Sequence, residues 1–356
     1  MPSFVPLREW GLPVGDFFLA AGPCSAETEE QVLSTARGLA GSGIGLFRAG
    51  AWKPRTYPGS FEGVGGEGLV WLSRVREELG FPIGVEVASP EHVELALEHR
   101  VDAVWVGART TPNPFAVQAI ADSLRGVDLP VLVKNPISPD LDLWLGALER
   151  LANAGLTRIG AIHRGFSTSR PVLYRYAPNW QIPIELKRRL PDLPLICDPS
   201  HISGRRDLIY SVAQEALDLL FDGLMIEVHI RPAEALSDQN QQLTPEELKG
   251  LARRLVPRSE EIPDDDLRMR IKELRLEVDD LDAHLLKILG QRMEVVRRLG
   301  ALKRRHNVST LQPQRWREIV DSRMAAGQDE RLSEEFVLQV FQAIHDEAIR
   351  HQEEDT

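Results

Sequence analysis

Eight short apolar runs recur through the first 260 residues, and amphipathic segments separate them. The runs are rich in Val, Ile, Leu and Ala, as buried parallel strands are, and the segments between them have the apolar spacing of one-sided helices. Eight strand-helix units in about 260 residues match a (β/α)8 TIM barrel, with a doubly wound open sheet as the alternative. The predicted strands are 17–24, 45–50, 83–88, 103–108, 131–135, 158–164, 195–198 and 224–228, and the clearest helices are 29–39, 67–79, 90–98 and 206–220.

Every run ends in a polar or reactive side chain. Barrel enzymes carry their chemistry at the carboxyl ends of the strands. Strands also become polar where they emerge into solvent, which would explain one or two such ends. Polar residues at all eight ends favour a functional site at this end of the barrel, which we call the mouth. In chain order these residues are Cys24, Arg48, Glu86, Arg109, Lys134, His163 with Arg164, Asp198 with His201, and Glu227 with His229.

Six cations at or near these ends predict an anionic substrate. Arg offers a bidentate fork to phosphate or carboxylate, and Lys offers a point charge. Six cations exceed the needs of one phosphate, so we infer two anionic substrates or one with several anionic groups. The six are Arg48, Lys53, Arg55, Arg109, Lys134 and Arg164.

Four residues of the first, seventh and eighth units are metal-ligand candidates: Cys24, His201, Glu227 and Asp238. Each alone has an ordinary structural explanation, so their spacing is a weak signal. A mixed S, N and O set would favour Mn, Fe, Co or Zn over Mg or Ca. Cys197 lies within a predicted strand, and we interpret it as a buried structural residue.

Charge and hydropathy exclude several classes of protein. The net charge of −11 argues against a nucleic-acid partner, although local Arg and Lys could still bind a small anion. A run of about 18 apolar residues and a basic-then-apolar leader are both missing, so we expect no membrane association and a cytoplasmic location. Two cysteines are too few for a disulfide framework.

The composition changes near residue 260. Of the 96 residues from 261 onward, 37 are charged, against 58 of the preceding 260, and this tail holds 3 of the 27 Gly and 2 of the 24 Pro. Dense charge without helix breakers predicts an all-helical domain. We expect a barrel over 1–258, an acidic linker over 259–266 and a three-helix domain over 267–356.

Five motifs in the first part resemble the compact, short-chain type of 3-deoxy-D-arabino-heptulosonate 7-phosphate (DAHP) synthase. They are Gly22-Pro-Cys-Ser-Ala-Glu27, Arg48-Ala-Gly-Ala-Trp-Lys-Pro-Arg-Thr56, Gly107-Ala-Arg109, Asp198-Pro-Ser-His201, and Glu227-Val-His229 followed by Ala235-Leu-Ser-Asp238. The resemblance implies a metal-dependent condensation of phosphoenolpyruvate with erythrose 4-phosphate, the entry step of the shikimate pathway.

The resemblance also implies roles for single residues. Cys24, His201, Glu227 and Asp238 match the family's ligands for a divalent metal, which we expect to be Mn in vitro. Arg109, Lys134 and Arg164 match the positions that hold the phosphate of phosphoenolpyruvate, Arg48 and Lys53 those near its carboxylate, and Arg55 and Thr56 the site of the sugar phosphate. We hypothesise that Glu86 or a metal-bound water assists addition of water, and that Lys53 or His201 protonates the new alkoxide.

A related family, the 3-deoxy-D-manno-octulosonate 8-phosphate synthases, carries Lys-Ala-Asn where this chain has Lys53-Pro-Arg55. Arg55 therefore argues for the shorter sugar phosphate. Tyr57-Pro-Gly departs from the usual Ser-Pro-Tyr of the DAHP synthases, but the replaced side chains are not anion ligands.

The tail begins with a heptad seam that is broken once. Apolar residues from Leu267 to Leu302 alternate in steps of four and three, with Arg292 in the break and Lys303 on nearly the same face. A helix over 267–305 would be about 58 Å long, too long for the remaining 50 residues to cover. We therefore predict at least a homodimer through this domain. A plain coiled coil in which Arg292 extends outward from the seam is the structural alternative.

This pattern resembles the all-helical chorismate mutases, which are intertwined dimers of three-helix chains and convert chorismate to prephenate. Arg275, Arg292, Lys303, Arg315 and Gln352 match the family's active-site positions, with Arg275 serving the partner's site. Two acidic positions of the pattern are here Gln312 and Trp316. Gln312 can still bond the substrate hydroxyl, but Trp316 cannot replace a carboxylate.

Three hypotheses follow for the tail. The preferred one is a bifunctional enzyme, the second is a sensor of chorismate or prephenate that restrains the barrel, and the third is a dimerisation element alone. Arg292 disfavours the third, because a structural seam would accept Leu there at lower desolvation cost. The fusion also suggests allosteric inhibition of the barrel by a ligand of the helical domain.

Overall fold

The structure, a computed structural model, describes residues 4–54, 59–168, 173–262, 264–309 and 313–353. It divides into two units, Met1–Glu260 and Glu261–Thr356. Within the described residues, none of the helices combines the length and the apolar character needed to cross a membrane.

The first unit is a closed barrel of eight parallel strands in sequential order. Closure is made by β8 against β1, where Phe18 lies opposite Gly223 and Gly22 opposite Glu227. The predicted strands are confirmed to within two residues at each end, and the open sheet is excluded. The strands are β1 Phe18–Gly22, β2 Leu46–Ala49, β3 Ile83–Val87, β4 Ala103–Val106, β5 Val131–Lys134, β6 Ile159–His163, β7 Leu195–Cys197 and β8 Gly223–Glu227.

Nine helices surround the strands within the described part of this unit. Several begin at side-chain caps that the local sequence supplies: Thr28 accepts from the Gln31 amide, and Thr244 with Glu247 forms a capping box. The four clearest predicted helices are confirmed to within three residues. The helices are α1 Glu29–Gly38, α2 Gly66–Leu79, α3 Pro90–Glu98, α4 Pro114–Ser123, α5 Leu141–Asn153, α6 Gln181–Arg189, α7 Pro199–Ser203, α8 Ile209–Asp218 and α9 Pro245–Ala252.

Alternate strand residues build two apolar layers. Leu46, Trp105 and Ile196 belong to the cluster that fills the barrel interior, whereas Phe47 and Cys197 belong to the cluster between strands and helices. Cys197 is therefore a buried core residue, as we interpreted it. Because side chains alternate with a period of two, the polar residue two positions after an interior hydrophobe also faces the barrel axis.

The second unit contains three helices, α10 Asp265–Arg305, α11 Pro313–Asp329 and α12 Glu334–Glu353. The predicted long helix is confirmed, and Asp264 caps it by accepting from the Asp266 amide. Met293 and Val296 of α10 pack with Ala348 of α12. The seam of α10 is largely exposed in the single chain: Leu281 is 67% exposed and Ile288 is 61% exposed.

Candidate functional site

Side chains from β2, β5 and β8 lie at the carboxyl end of the barrel. Leu46, Leu132 and Met225 point into the interior, and two residues further along their strands stand Arg48, Lys134 and Glu227. Arg48 and Glu227 are paired and buried, with Arg48 Nη1 donating to Glu227 Oε1 at 3.0 Å. The same alternation of strand side chains that places apolar residues in the core therefore places charged residues at the mouth.

Cys24, Glu227 and Asp238 form a group that could hold a metal ion. One ligand atom of each lies within 4.8 Å of the others, and Cys24 Sγ donates to Asp238 Oδ2 at 3.1 Å. His201 stands at the edge of the group, with Nε2 3.7 Å from Glu227 Oε1. Burial, and after it the Glu227 carboxylate, raises the pKa of the Cys24 thiol, so a metal ion would have to displace its proton.

Asp198 connects the metal candidates to the cations. Its Oδ2 accepts from Lys134 Nζ at 3.0 Å and lies 2.8 Å from His201 Nδ1, while Oδ1 caps α7. Burial opposes the charge of Asp198, but His201 and Lys134 hold its pKa well below the usual range. From the sequence we placed Asp198 at the end of its strand but assigned it no role.

Three predicted phosphate ligands line one cavity of about 70 Å³. Arg109, Lys134 and Arg164 surround it together with Glu86, and the Arg164 guanidinium lies 3.6 Å from the centroid of the Tyr176 ring. His201 and Asp238 also reach this cavity, which brings the cations and the metal candidates to one space.

The remaining predicted barrel residues lie close by. Lys53 Nζ is 3.0 Å from Cys24 Sγ. Glu86 is oriented by Trp105, whose indole donates to Glu86 Oε2 at 2.9 Å. Gly107 leaves room for this orientation, because a Cβ there would overlap the Glu86 carboxylate. Arg55 and Thr56 lie outside the described residues.

His163 does not belong to the mouth, contrary to our grouping of it with Arg164. It follows the interior residue Ile162 and so faces the outer layer, where its ring lies among Trp144, Phe166, Trp180 and Phe221. Burial there lowers the pKa of His163 to about 3 and keeps the imidazole neutral. Applied strictly, the period-two alternation would have separated the two neighbours.

Some residues of a second candidate site lie together in the helical unit. Burial, and after it the nearby Arg323, lowers the pKa of Arg292. Gln352 is buried against Gly300, where a Cβ would meet the Gln352 side chain, and its Nε2 donates to Ala348 O at 3.2 Å. We did not predict Arg323, which matched no motif.

Other predicted residues of this unit do not lie together with Arg292 in the single chain. Arg315 pairs with the exposed Glu318 at 3.1 Å. Arg275 precedes Arg292 by 17 positions on α10, which separates them by about 25 Å along the helix. Gln312 lies outside the described residues, and Trp316 stacks on His345 with centroids 4.2 Å apart.

Two family models match the chain, one for each unit. The DAHP synthetase I family matches residues 15–262, and chorismate mutase type II matches residues 274–353.

Single relatives match the barrel. A phospho-2-dehydro-3-deoxyheptonate aldolase of Thermotoga maritima is 34% identical over 241 residues, which cover 68% of this chain and 69% of that protein. A 2-dehydro-3-deoxyphosphooctonate aldolase of Acidithiobacillus ferrooxidans is 29% identical over 240 residues, covering 62% and 82%.

The fold agrees with these matches. The crystal structure of the Thermotoga maritima DAHP synthase superposes with a TM-score of 0.64 at 31% identity, covering 71% of this chain and 72% of that one. A truncated form of the Thermotoga maritima enzyme gives 0.61 at 28% identity, with 71% and 90% covered. The chain therefore belongs to the DAHP synthetase I family and carries a chorismate mutase type II domain C-terminal to the barrel in sequence.

Proposed function

We propose that the chain is a bifunctional enzyme of aromatic amino-acid biosynthesis. The barrel would condense phosphoenolpyruvate with erythrose 4-phosphate to DAHP and phosphate, and the helical domain would convert chorismate to prephenate. The observation that carries the first activity is the junction of the Cys24, Glu227 and Asp238 group with the cavity of Arg109, Lys134 and Arg164. We keep 1–258, 259–266 and 267–356 as proposed barrel, linker and helical domain, supported by the start of α10 at Asp265.

The donor set fits a divalent transition metal. A thiol and two carboxylates converge, and the His201 imidazole stands beside them, a mixture that favours Mn, Fe, Co or Zn. When bound, the ion would polarise the aldehyde carbonyl of the sugar phosphate as a Lewis acid. We expect Mn to support turnover in vitro.

The cations of the mouth would bind and orient phosphoenolpyruvate. Arg109, Lys134 and Arg164 would hold its phosphate, and Arg48 and Lys53 its carboxylate. Lys134 is oriented in advance by Asp198, and Arg48 by Glu227, so little ordering remains to be done when substrate binds.

The contacts also separate the candidate proton donors. Nδ1 of His201 faces Asp198 and Nε2 faces the metal group, which suits a ligand better than an acid. Lys53 Nζ lies at the edge of the same group without a carboxylate partner among the described residues. We therefore assign protonation of the alkoxide to Lys53, and assistance of water addition to Glu86, whose Oε2 is held by Trp105.

Metal removal tests the first activity. The full-length chain, stripped with a chelator, should lose DAHP formation and regain it with Mn²⁺. Erythrose 4-phosphate should be preferred to D-arabinose 5-phosphate, the five-carbon aldose phosphate that an eight-carbon product would require. Undiminished turnover after stripping would contradict the metal assignment, and preference for the pentose phosphate would assign the chain to the octulosonate reaction.

The second activity needs neither a metal nor a nucleophile. Arg292, Lys303 and Gln352 would hold a compact dicarboxylate and stabilise charge on its ether oxygen. Loss of chorismate absorbance on adding the full-length chain tests this activity. Binding of prephenate without any conversion of chorismate would favour the sensor hypothesis.

The helical domain is proposed to form a homodimer through the seam of α10. Exposed apolar side chains run along this helix, Leu274, Leu281, Leu285 and Ile288 among them, all more than half exposed in the single chain. A second copy would cover them and would bring its Arg275 to the site of the first.

Leu281→Asp should dissociate this dimer, because it places a charge in the seam and removes about 2 kcal/mol of apolar burial per protomer. We expect a lower molar mass by light scattering and loss of prephenate formation, with DAHP formation retained. Leu332→Asp, at an exposed leucine outside the seam, is the control. An unchanged mass for Leu281→Asp would exclude the seam as the interface.

A further inference from the structure

In the Asp238 and Glu227 carboxylates of the metal group, the two oxygens have different kinds of partner. Asp238 Oδ2 accepts from Cys24 Sγ at 3.1 Å, and Asp238 Oδ1 accepts from Arg175 Nη1 at 2.8 Å. Glu227 Oε1 lies near Arg48 and His201, and Glu227 Oε2 accepts from Gln241 Nε2 at 2.7 Å. In each carboxylate one oxygen faces the group, and the other accepts from a side chain that is not a ligand candidate, Arg175 or Gln241.

The two outer partners are bonded to each other. Arg175 Nη1, which holds Asp238, also donates to Gln241 Oε1 at 2.7 Å, while the amide nitrogen of Gln241 holds Glu227. One continuous bridge therefore runs from Asp238 through Arg175 and Gln241 to Glu227. Gln241 is 1% exposed, so its amide has no freedom to exchange these partners for solvent.

Two glycines with positive φ leave room for Arg175 and its neighbour Tyr176. Gly204, at a φ of +66°, lies so close to Arg175 that a Cβ would overlap the arginine side chain, and Gly165, at a φ of +78°, lies in the same way against Tyr176. The Arg175 amide donates to Ser203 O at 3.3 Å, and its guanidinium stands 5.7 Å from the Tyr176 ring centroid. These contacts hold Arg175, which lies between β6 and α6, against the end of α7.

We propose that Arg175 and Gln241 are positioning residues that hold Asp238 and Glu227 in the orientation that binds the metal ion. The inference rests on the proposed metal site. Outer partners of ligating carboxylates fix the direction of the ligand oxygens, and their loss costs about 10- to 100-fold in metal affinity.

Arg175 could instead act only through its charge, and the two roles predict opposite signs. A cation beside Asp238 repels a divalent ion, so removing a role that is only electrostatic would tighten metal binding. Removing a positioning role would weaken it. Gln241 is uncharged, so its replacement reports on orientation alone.

The test is a titration of Co²⁺ into the metal-stripped full-length chain, followed through the thiolate-to-cobalt charge-transfer absorption. Gln241→Leu and Arg175→Met should each bind Co²⁺ about 10- to 100-fold more weakly than the parent, with the thiolate band restored at saturation. Turnover of Gln241→Leu should recover at high metal concentration, and the thermal midpoint of the metal-free protein should not move enough to explain the loss.

Gln239→Leu is the matched control, because the Gln239 amide lies on the same loop but donates to Ala235 O. It should bind Co²⁺ like the parent. Parental affinity in Gln241→Leu, or tighter binding in Arg175→Met, would overturn the positioning role. Failure of the parent itself to bind Co²⁺ would instead overturn the proposed metal site.

Discussion

Cys24→Ser is expected to reduce DAHP formation by more than about 100-fold at limiting metal, while prephenate formation is unchanged. The substitution replaces a thiol that would bind as a thiolate by a hydroxyl that stays protonated. It removes the soft ligand from a group whose other members are two carboxylates, with the His201 imidazole beside them. Initial rates of both reactions, measured on one preparation across a Mn²⁺ titration, check this prediction.

Cys197→Ala is the control for this experiment. Cys197 is equally buried but belongs to the layer between strands and helices, and burial raises the pKa of its thiol well above the ordinary value. It should keep both activities. A Cys24→Ser protein with the parental metal dependence would show that the thiol is not a ligand.

Arg292→Leu is expected to have the reciprocal effect, a loss of about 10²- to 10³-fold in prephenate formation with DAHP formation retained. Arg292 is half-buried beside Arg323, and among the described residues no carboxylate is paired with it. A half-buried guanidinium without a carboxylate partner, with a second guanidinium beside it, is suited to an incoming dianion. The loss of chorismate absorbance is measured at saturating chorismate, which gives kcat, and at low chorismate, which gives kcat/KM. The two values separate an effect on turnover from an effect on binding.

The same substitution should not lower the thermal stability of the helical unit, because it removes a partly desolvated charge that has a like-charged neighbour. Arg297→Leu is the control on the same helix, since Arg297 is exposed and paired with Glu294 at 2.7 Å. If Arg292→Leu kept the parental rate, the helical domain would have a role other than the mutase reaction.

The barrel was predictable from local patterns. Each strand is a short apolar run and each helix an amphipathic segment, often with its own cap, so the signal for an element lies within about ten residues. The long helix α10 was equally visible, because its heptad spacing persists across the break at Arg292.

The sequence was enough to name residues of the candidate site but not to predict their contacts. Cys24, Glu227 and Asp238 could be named from their motifs, yet the partners of these residues could not. Gln241 and Arg175 are 66 positions apart and meet through one hydrogen bond, and Lys134 and Asp198 are 64 apart. Arg175 has no motif and no periodic position, so nothing in the local sequence distinguishes it from a surface arginine.

The sequence by itself determined the order of the elements, the change of composition near residue 260 and the charge carried to each strand end. These depend on interactions between near neighbours along the chain. Only the tertiary structure decided which charged side chains pair with each other, and that one arginine and one glutamine join two metal-ligand candidates. Those outcomes depend on the arrangement of all eight strands in one closed barrel, which brings side chains distant along the chain to hydrogen-bonding distance, where burial strengthens their pairing.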